Sequence, residues 1–204
     1  MEERALPREG TIVSRLLGSG VLRIMGWRIR GEFPEVSKCV AIAAPHTSNW
    51  DFIVGMAAKL KLNLSASWLG KHTIFFWPLG ILLKWLGGIP VDRASARGVV
   101  DGVAELFRRR KAMILALSPE GTRKRVEKWK TGFYRIALTA GVPIVLVSLD
   151  YATRTVEIGP LMNPSGDLAK DLQEIGKYFS ASRGRYPDQF SLPRLEVGDF
   201  QEPD

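Results

Sequence analysis

Short, largely apolar runs recur along this chain, at Lys38 to Ala44, Gly88 to Val91, Ala112 to Leu117 and Val142 to Leu149. A strand buried on both faces reads as such a run rather than as a polar–apolar alternation. The stretches between the runs have helical pattern. They predict a Ser48-capped helix to about Leu62, a Ser95-capped helix through Arg110, and a helix over Gly132 to Ala140. A further strand is expected at Leu64 to Leu69, an alternating and more exposed one at Thr153 to Ile158, and a last helix from about Gly166 to Phe179. Pro143 sits at the start of its run, where a missing amide donor is tolerated. Strands alternating with helices specify an α/β domain with a mostly parallel sheet flanked by helices.

At 204 residues the chain can bury a sizeable core without staples. Its single cysteine, Cys39, excludes an internal disulfide framework and a Cys-based zinc site. Cys39 lies inside an apolar run and reads as a small buried residue. No repeat or long linker divides the sequence. The first residues lack the basic-then-apolar order of a secretory signal, and no window reaches the roughly 18 apolar residues of a spanning helix. The net charge of +8 asks for a partner or a solubility explanation, with nucleic acid, anionic lipid and phosphorylated substrates as the candidate partners.

Two apolar segments have open readings. Thr11 to Arg30 is helical in pattern, with Ile12, Val13, Leu16, Leu17, Val21, Ile24, Met25 and Trp27 on an apolar side and Arg15, Arg23, Arg28 and Arg30 as its cations. It reads either as a helix lying in a membrane interface or as an N-terminal helix packed on the core. The chain accordingly divides into an N-terminal amphipathic, membrane-associating segment, residues 1–35, and an α/β domain, residues 36–204. The run Ile74 to Leu86 either lines an acyl groove, dips into a bilayer, or forms a core helix; it is too short to span.

Chemistry concentrates after the strands, where open α/β sheets place their sites. His46 and Asp51 follow the first run. An imidazole titrating near neutrality can take a proton from a hydroxyl, and a carboxylate on its other nitrogen fixes the tautomer. The same Asp51 could instead reach back to the Ser48 amide as a helix cap. Arg93 follows the run Gly88 to Val91, and Ser118-Pro119-Glu120-Gly121-Thr122-Arg123 follows Ala112 to Leu117. An arginine after a strand, beside a glycine-containing turn, suits bidentate phosphate binding.

Four blocks in this order resemble the glycerolipid acyltransferase family that includes the 1-acylglycerol-3-phosphate acyltransferases. His46 and Asp51 match its histidine–four residues–aspartate motif, Arg93 the arginine of its second motif, Pro119 to Arg123 its Pro-Glu-Gly-Thr-Arg motif, and Val142 to Ile144 its Val-Pro-Ile motif. Pro45 stands where the family has asparagine, and Ser118 where it has phenylalanine. The resemblance implies a glycerol-3-phosphate acyltransferase-like fold. It also implies transfer of a fatty acyl group from acyl-CoA or acyl carrier protein to a hydroxyl of a lysophospholipid, in phospholipid biosynthesis or remodelling. His46 would be the base and Asp51 its holder. Arg93 and Arg123 would bind the acceptor phosphate, with Glu120 on the acceptor side, Gly121 and Thr122 shaping the turn, and Lys71 as a further phosphate candidate. No metal and no cofactor are expected, the acyl donor being a substrate. Ser118 lacks a nucleophile elbow, so no acyl-enzyme is expected, and His72 reads as a surface residue.

The implied setting is cytoplasmic and peripheral, on the inner face of the cell membrane. Pro45 keeps a glycolipid or aminolipid acceptor open. A different class of reading is a basic nucleic-acid-binding module, built on Lys124, Arg125, Lys128 and Lys130 around Trp129 and on Arg108 to Lys111. A non-catalytic lipid-binding scaffold is a third, opposed by the intact His46 and Asp51.

Overall fold

The computed structural model describes residues 5–91 and 96–193, with 96 and 97 as backbone alone. Arg93 and the expected Ser95 cap lie outside the described residues. The strands are β1 (Arg28–Arg30), β2 (Lys38–Ala44), β3 (Ala66–Lys71), β4 (Gly88–Val91), β5 (Met113–Leu117), β6 (Ile144–Asp150) and β7 (Thr155–Met162). They form one sheet in the order β1-β7-β6-β2-β5-β3-β4. β2 pairs in parallel with both β5 and β6, β5 with β3, and β3 with β4. Among the strands of the described residues only the β6–β7 pairing is antiparallel. This is the mostly parallel sheet expected from the apolar runs.

The helices are α1 (Ile12–Ile24), α2 (Trp50–Leu62), α3 (Leu79–Trp85), α4 (Ala96–Arg109), α5 (Gly132–Ala140) and α6 (Leu168–Phe179). One face of the sheet packs Val40, Ile42, Leu115 and Ile144 against Phe107, Phe133, Ile175 and Phe179. Each fully buried side chain of this size contributes about 1.5–3 kcal/mol relative to exposure. On the other face Cys39, Ala41, Ile114 and Val145 form a second layer with Leu6 and Leu64. Cys39 is fully buried, and burial pushes its thiol up to about 12, so it is inert as a nucleophile.

The N-terminal helix is shorter than its pattern suggested. Thr11 and Ser14 form a capping box at its start. At its end Gly26 takes φ +71°, the Trp27 amide bonds Leu22 O at 2.7 Å and the Gly26 amide bonds Arg23 O at 3.0 Å. That is a Schellman stop, and glycine supplies the left-handed residue it needs. Arg28–Arg30 then leaves the helix and adds to the sheet beside β7. α1 packs on α2 through Gly18, where a Cβ would lie 2.5 Å from Ala57 O. Its opposite face leaves Ile12, Val13, Leu16, Leu17 and Ile24 exposed. One face of the segment is therefore packed on the core, and the other is apolar and bare.

The run after β3 is not a core helix. Residues His72–Ile74 make a 3-10 turn, and α3 buries only Gly80 and Leu83. Phe76, Trp77, Ile81, Leu82 and Trp85 are exposed, Trp77 by 81%. Among the described residues no helix is long and apolar enough to cross a membrane.

The segment after α6, patternless in sequence, is tied across the carboxyl edge of the sheet. The Arg183 amide donates to Asp150 Oδ1 at 2.9 Å and the Tyr186 amide to Thr47 Oγ1 at 3.2 Å. Trp129 Nε1 donates to Ser191 O at 2.8 Å, and the Ser191 hydroxyl donates to Val126 O.

Candidate active site

β2 lies where the winding of the sheet reverses. Leaving β2, the chain passes through α2 to β3 beyond β5, while β6 docks on the other side. Such switch points open a crevice at the carboxyl ends of the strands. His46 stands just past the end of β2, after Pro45, which is joined to Ala44 by a cis peptide bond. Ser118 to Arg123 follow the adjacent β5. Two blocks 74 residues apart therefore meet: the His46 amide donates to Glu120 Oε2 at 2.7 Å.

His46 Nδ1 lies 3.3 Å from Asp51 Oδ2, with the Asp51 side chain wholly buried and that of His46 25% exposed. The Thr47 and Ser48 amides each donate to the same Oδ2 at 2.7 Å. Asp51 thus does both things its sequence allowed: it reaches back to the loop amides and it faces the imidazole. Ser48 is not the helix cap. Asn49 occupies that position without a side-chain bond, and Ser48 Oγ accepts from the Trp50 amide at 3.2 Å. Asp51 Oδ1 accepts from the Tyr151 hydroxyl at 2.5 Å. With Nδ1 committed to Asp51, Nε2 is the ring nitrogen left for chemistry.

Glu120 is buried, and its Oε1 has no hydrogen-bond partner among the described residues. Burial pushes its carboxyl up to about 8; the charge of Asp51 adds to the rise and the His46 amide opposes it. Gly121 turns the chain at φ +66°, and a Cβ there would lie 2.8 Å from Lys130 Cδ. The backbone angle favours glycine, and the contact shows how closely the flexible Lys130 side chain lies over the turn.

A cavity of about 650 Å³ opens beside these groups, within the range of ligand pockets, about 300–1,000 Å³. Its walls are mainly apolar, including Phe52, Met56, Trp68, Leu117 and Phe133. His46, Asp51, Gly121, Thr122 and Arg123 also line it, as does Lys130. Lys71 does not; it stands exposed at the end of β3. Residues 74–86 are absent from the walls of this cavity too. Lys130 escaped the site reading because it looked like one of several surface cations; its amide, bonded to Pro119 O at 2.8 Å, brings it beside Gly121.

The aromatic at the centre of the basic cluster is not on the surface. Trp129 is buried against Phe179, so its ring is closed to a stacking base. Arg125 donates to Asp188 O at 3.1 Å, and Arg108 and Arg109 both pair with Glu105 at 2.7 Å. Among the described residues no three His, Cys, Asp or Glu side chains converge as a metal site requires.

Comparison with known proteins gives a family and a fold. An acyltransferase family model matches residues 28–150. Over 127 residues the chain is 32% identical to the 1-acyl-sn-glycerol-3-phosphate acyltransferase of Salmonella typhimurium, and 30% identical to that of Escherichia coli K12. Each match covers 59% of this chain and 50% of the relative, so the chain spans about half the length of the curated relatives it matches. The crystal structure of the 1-acyl-sn-glycerophosphate acyltransferase of Thermotoga maritima superposes with a TM-score of 0.60 at 18% identity, covering 85% of this chain and 80% of that one. At that identity the likeness establishes the fold.

Proposed function

The chain belongs to the acyltransferase family, and from that premise we propose that it moves a fatty acyl group from a thioester to a hydroxyl of a lysophospholipid such as 1-acylglycerol-3-phosphate. The observation that carries this reading is the His46–Asp51 pair at the wall of an apolar cavity large enough for an acyl chain. His46 Nε2 takes the proton of the acceptor hydroxyl as its oxygen attacks the thioester carbonyl. Asp51, held by two loop amides, stabilises the imidazolium. The tetrahedral intermediate collapses, the carbon–sulfur bond breaks, and the imidazolium proton passes to the departing thiolate. An ester replaces the thioester and His46 is neutral again.

Arg123 on the cavity wall is suited to a phosphate near the reacting hydroxyl. Glu120 holds the loop, its Oε2 accepting the His46 amide, and keeps Oε1 for the acceptor side. Arg93 is the second phosphate candidate on the strength of its motif. The donor is acyl-CoA or acyl carrier protein, both of which present the same thioester.

The bare apolar faces of α1 and α3 support work at a membrane surface. Ile12, Val13, Leu16 and Leu17 on one helix, Ile81 and Trp85 on the other and Trp77 just before it are exposed, with Arg15 and Arg23 beside the first. Apolar side chains flanked by cations bind an anionic lipid interface. The protein is then peripheral, on the inner face of the cell membrane, and meets its acceptor there.

The test is thiol release and product mass with acyl-CoA and acyl carrier protein, offered with lysolipids with and without a phosphate. His46→Ala should cut turnover by at least about 10²–10⁴-fold with an unchanged urea unfolding curve. Arg123→Ala should weaken use of phosphorylated acceptors selectively. Full turnover by folded His46→Ala protein would sink the mechanism.

A further inference from the structure

We propose that Tyr151 is a positioning residue of the His46–Asp51 pair, acting through the Asp51 oxygen that His46 does not use. The proposal rests on the reading of His46 as the base.

The two oxygens of Asp51 are divided. Oδ2 faces His46 Nδ1 and takes the Thr47 and Ser48 amides. Those amides belong to the same loop as His46 and move with it. Oδ1 takes the Tyr151 hydroxyl, at 2.5 Å, from a residue 100 positions away that follows β6. Tyr151 is therefore the contact that ties the carboxylate plane to the sheet, independently of α2 and its leading loop. A carboxylate gripped at one oxygen can rotate about its Cβ–Cγ bond; gripped at both, it cannot.

The tyrosine is itself held. Its ring meets Trp27 edge-on at 4.8 Å and 87°, and its amide donates to Arg183 O at 2.8 Å. Trp27 is buried. Burial, then the hydrogen bond to Asp51 and its charge, push the phenol's proton affinity up, while Arg185 pulls it down. The proton stays on Tyr151, so the bond runs one way, from phenol to carboxylate. Asp51 from α2, Glu120 behind the His46 amide, and Arg123 and Lys130 on the cavity wall are the other ionisable groups around His46.

The hydroxyl also sets how strongly Asp51 holds an imidazolium. A carboxylate with one charge-assisted donor fewer concentrates its charge on what is left, here His46. Tyr151→Phe removes the hydroxyl and keeps the ring on Trp27. The chain has only two histidines, so in a His72→Gln background the His46 ring can be followed alone by NMR.

Tyr151→Phe should move the His46 titration midpoint upward by about half a pH unit. An unmoved midpoint overturns the proposal, and this measurement needs no turnover. In the assay, Tyr151→Phe should lower kcat about tenfold and leave KM for donor and acceptor within about twofold. In an Asp51→Asn background the same change should cost nothing further. Equal losses in both backgrounds, or a loss confined to KM, overturn it. Absence of turnover in the wild type with every thioester and lysolipid would refute the proposed activity, while the histidine titration would still decide whether Tyr151 acts on His46.

Discussion

Glu120→Gln tests the electrostatics of the loop that carries His46. In the folded protein burial raises the Glu120 carboxyl to about 8, from an ordinary value of 4.5. Between those limits the folded state holds a proton that the unfolded state has released, so stability falls as pH rises. At about 1.4 kcal/mol per unit, the loss from pH 5 to pH 8 is about 2.5–3.5 kcal/mol from this group alone. Below pH 4.5 both states are protonated and the penalty is gone; above pH 8 it is complete. The substituted amide keeps an acceptor for the His46 N–H and the shape of a protonated carboxyl, and it does not ionise. Urea unfolding at pH 5, 6, 7 and 8 gives the curve for each protein, and subtraction cancels the groups they share. The variant should gain on the wild type steadily across the range and lead by about 2.5–3.5 kcal/mol at pH 8 relative to pH 5. Parallel curves would mean that Glu120 is ionised at ordinary cost, and the account of a strained carboxyl behind His46 would be wrong.

Gly18→Leu should separate α1 from α2, because a Cβ would meet Ala57 O at 2.5 Å and Lys61 N at 2.7 Å, both of them backbone atoms. A loss of about 1–3 kcal/mol in urea unfolding is expected, and an unchanged midpoint would refute the close packing. Trp77→Ser with Trp85→Ser should leave that midpoint alone, since both rings are mostly exposed at 81% and 67%. It should weaken sedimentation with anionic vesicles by at least about tenfold; undiminished vesicle binding would remove α3 from the membrane surface.

Much of the sheet was legible. β2, β4 and α5 fall where the apolar runs and helical pattern put them, because strands covered on both faces must be apolar throughout. β1 was not: Arg28-Ile29-Arg30 is a short edge strand with two exposed arginines, and its only claim to the sheet is β7 alongside it. α3 misled for the opposite reason. An apolar run is core only if something covers it, and nothing in the described fold covers Trp77 or Trp85. Trp129 looked like a stacking platform among cations and proved to be core, since Phe179 reaches it from the far end of α6.

The sequence alone determined the order of strands and helices and the residue types available at their ends, because periodicity and turn chemistry are local. It therefore placed His46, Asp51 and the Pro119–Arg123 block at the mouths of strands. It left Asp51 between cap and partner, since both roles use the same carboxylate at the same spacing. Only tertiary structure decided that β2 and β5 are neighbours, that Glu120 grips the His46 amide, and that Tyr151 closes on Asp51 from beyond β6. Those contacts join residues 74 and 100 positions apart. Their partners are selected by the strand order of the sheet, and no short window of sequence carries that order.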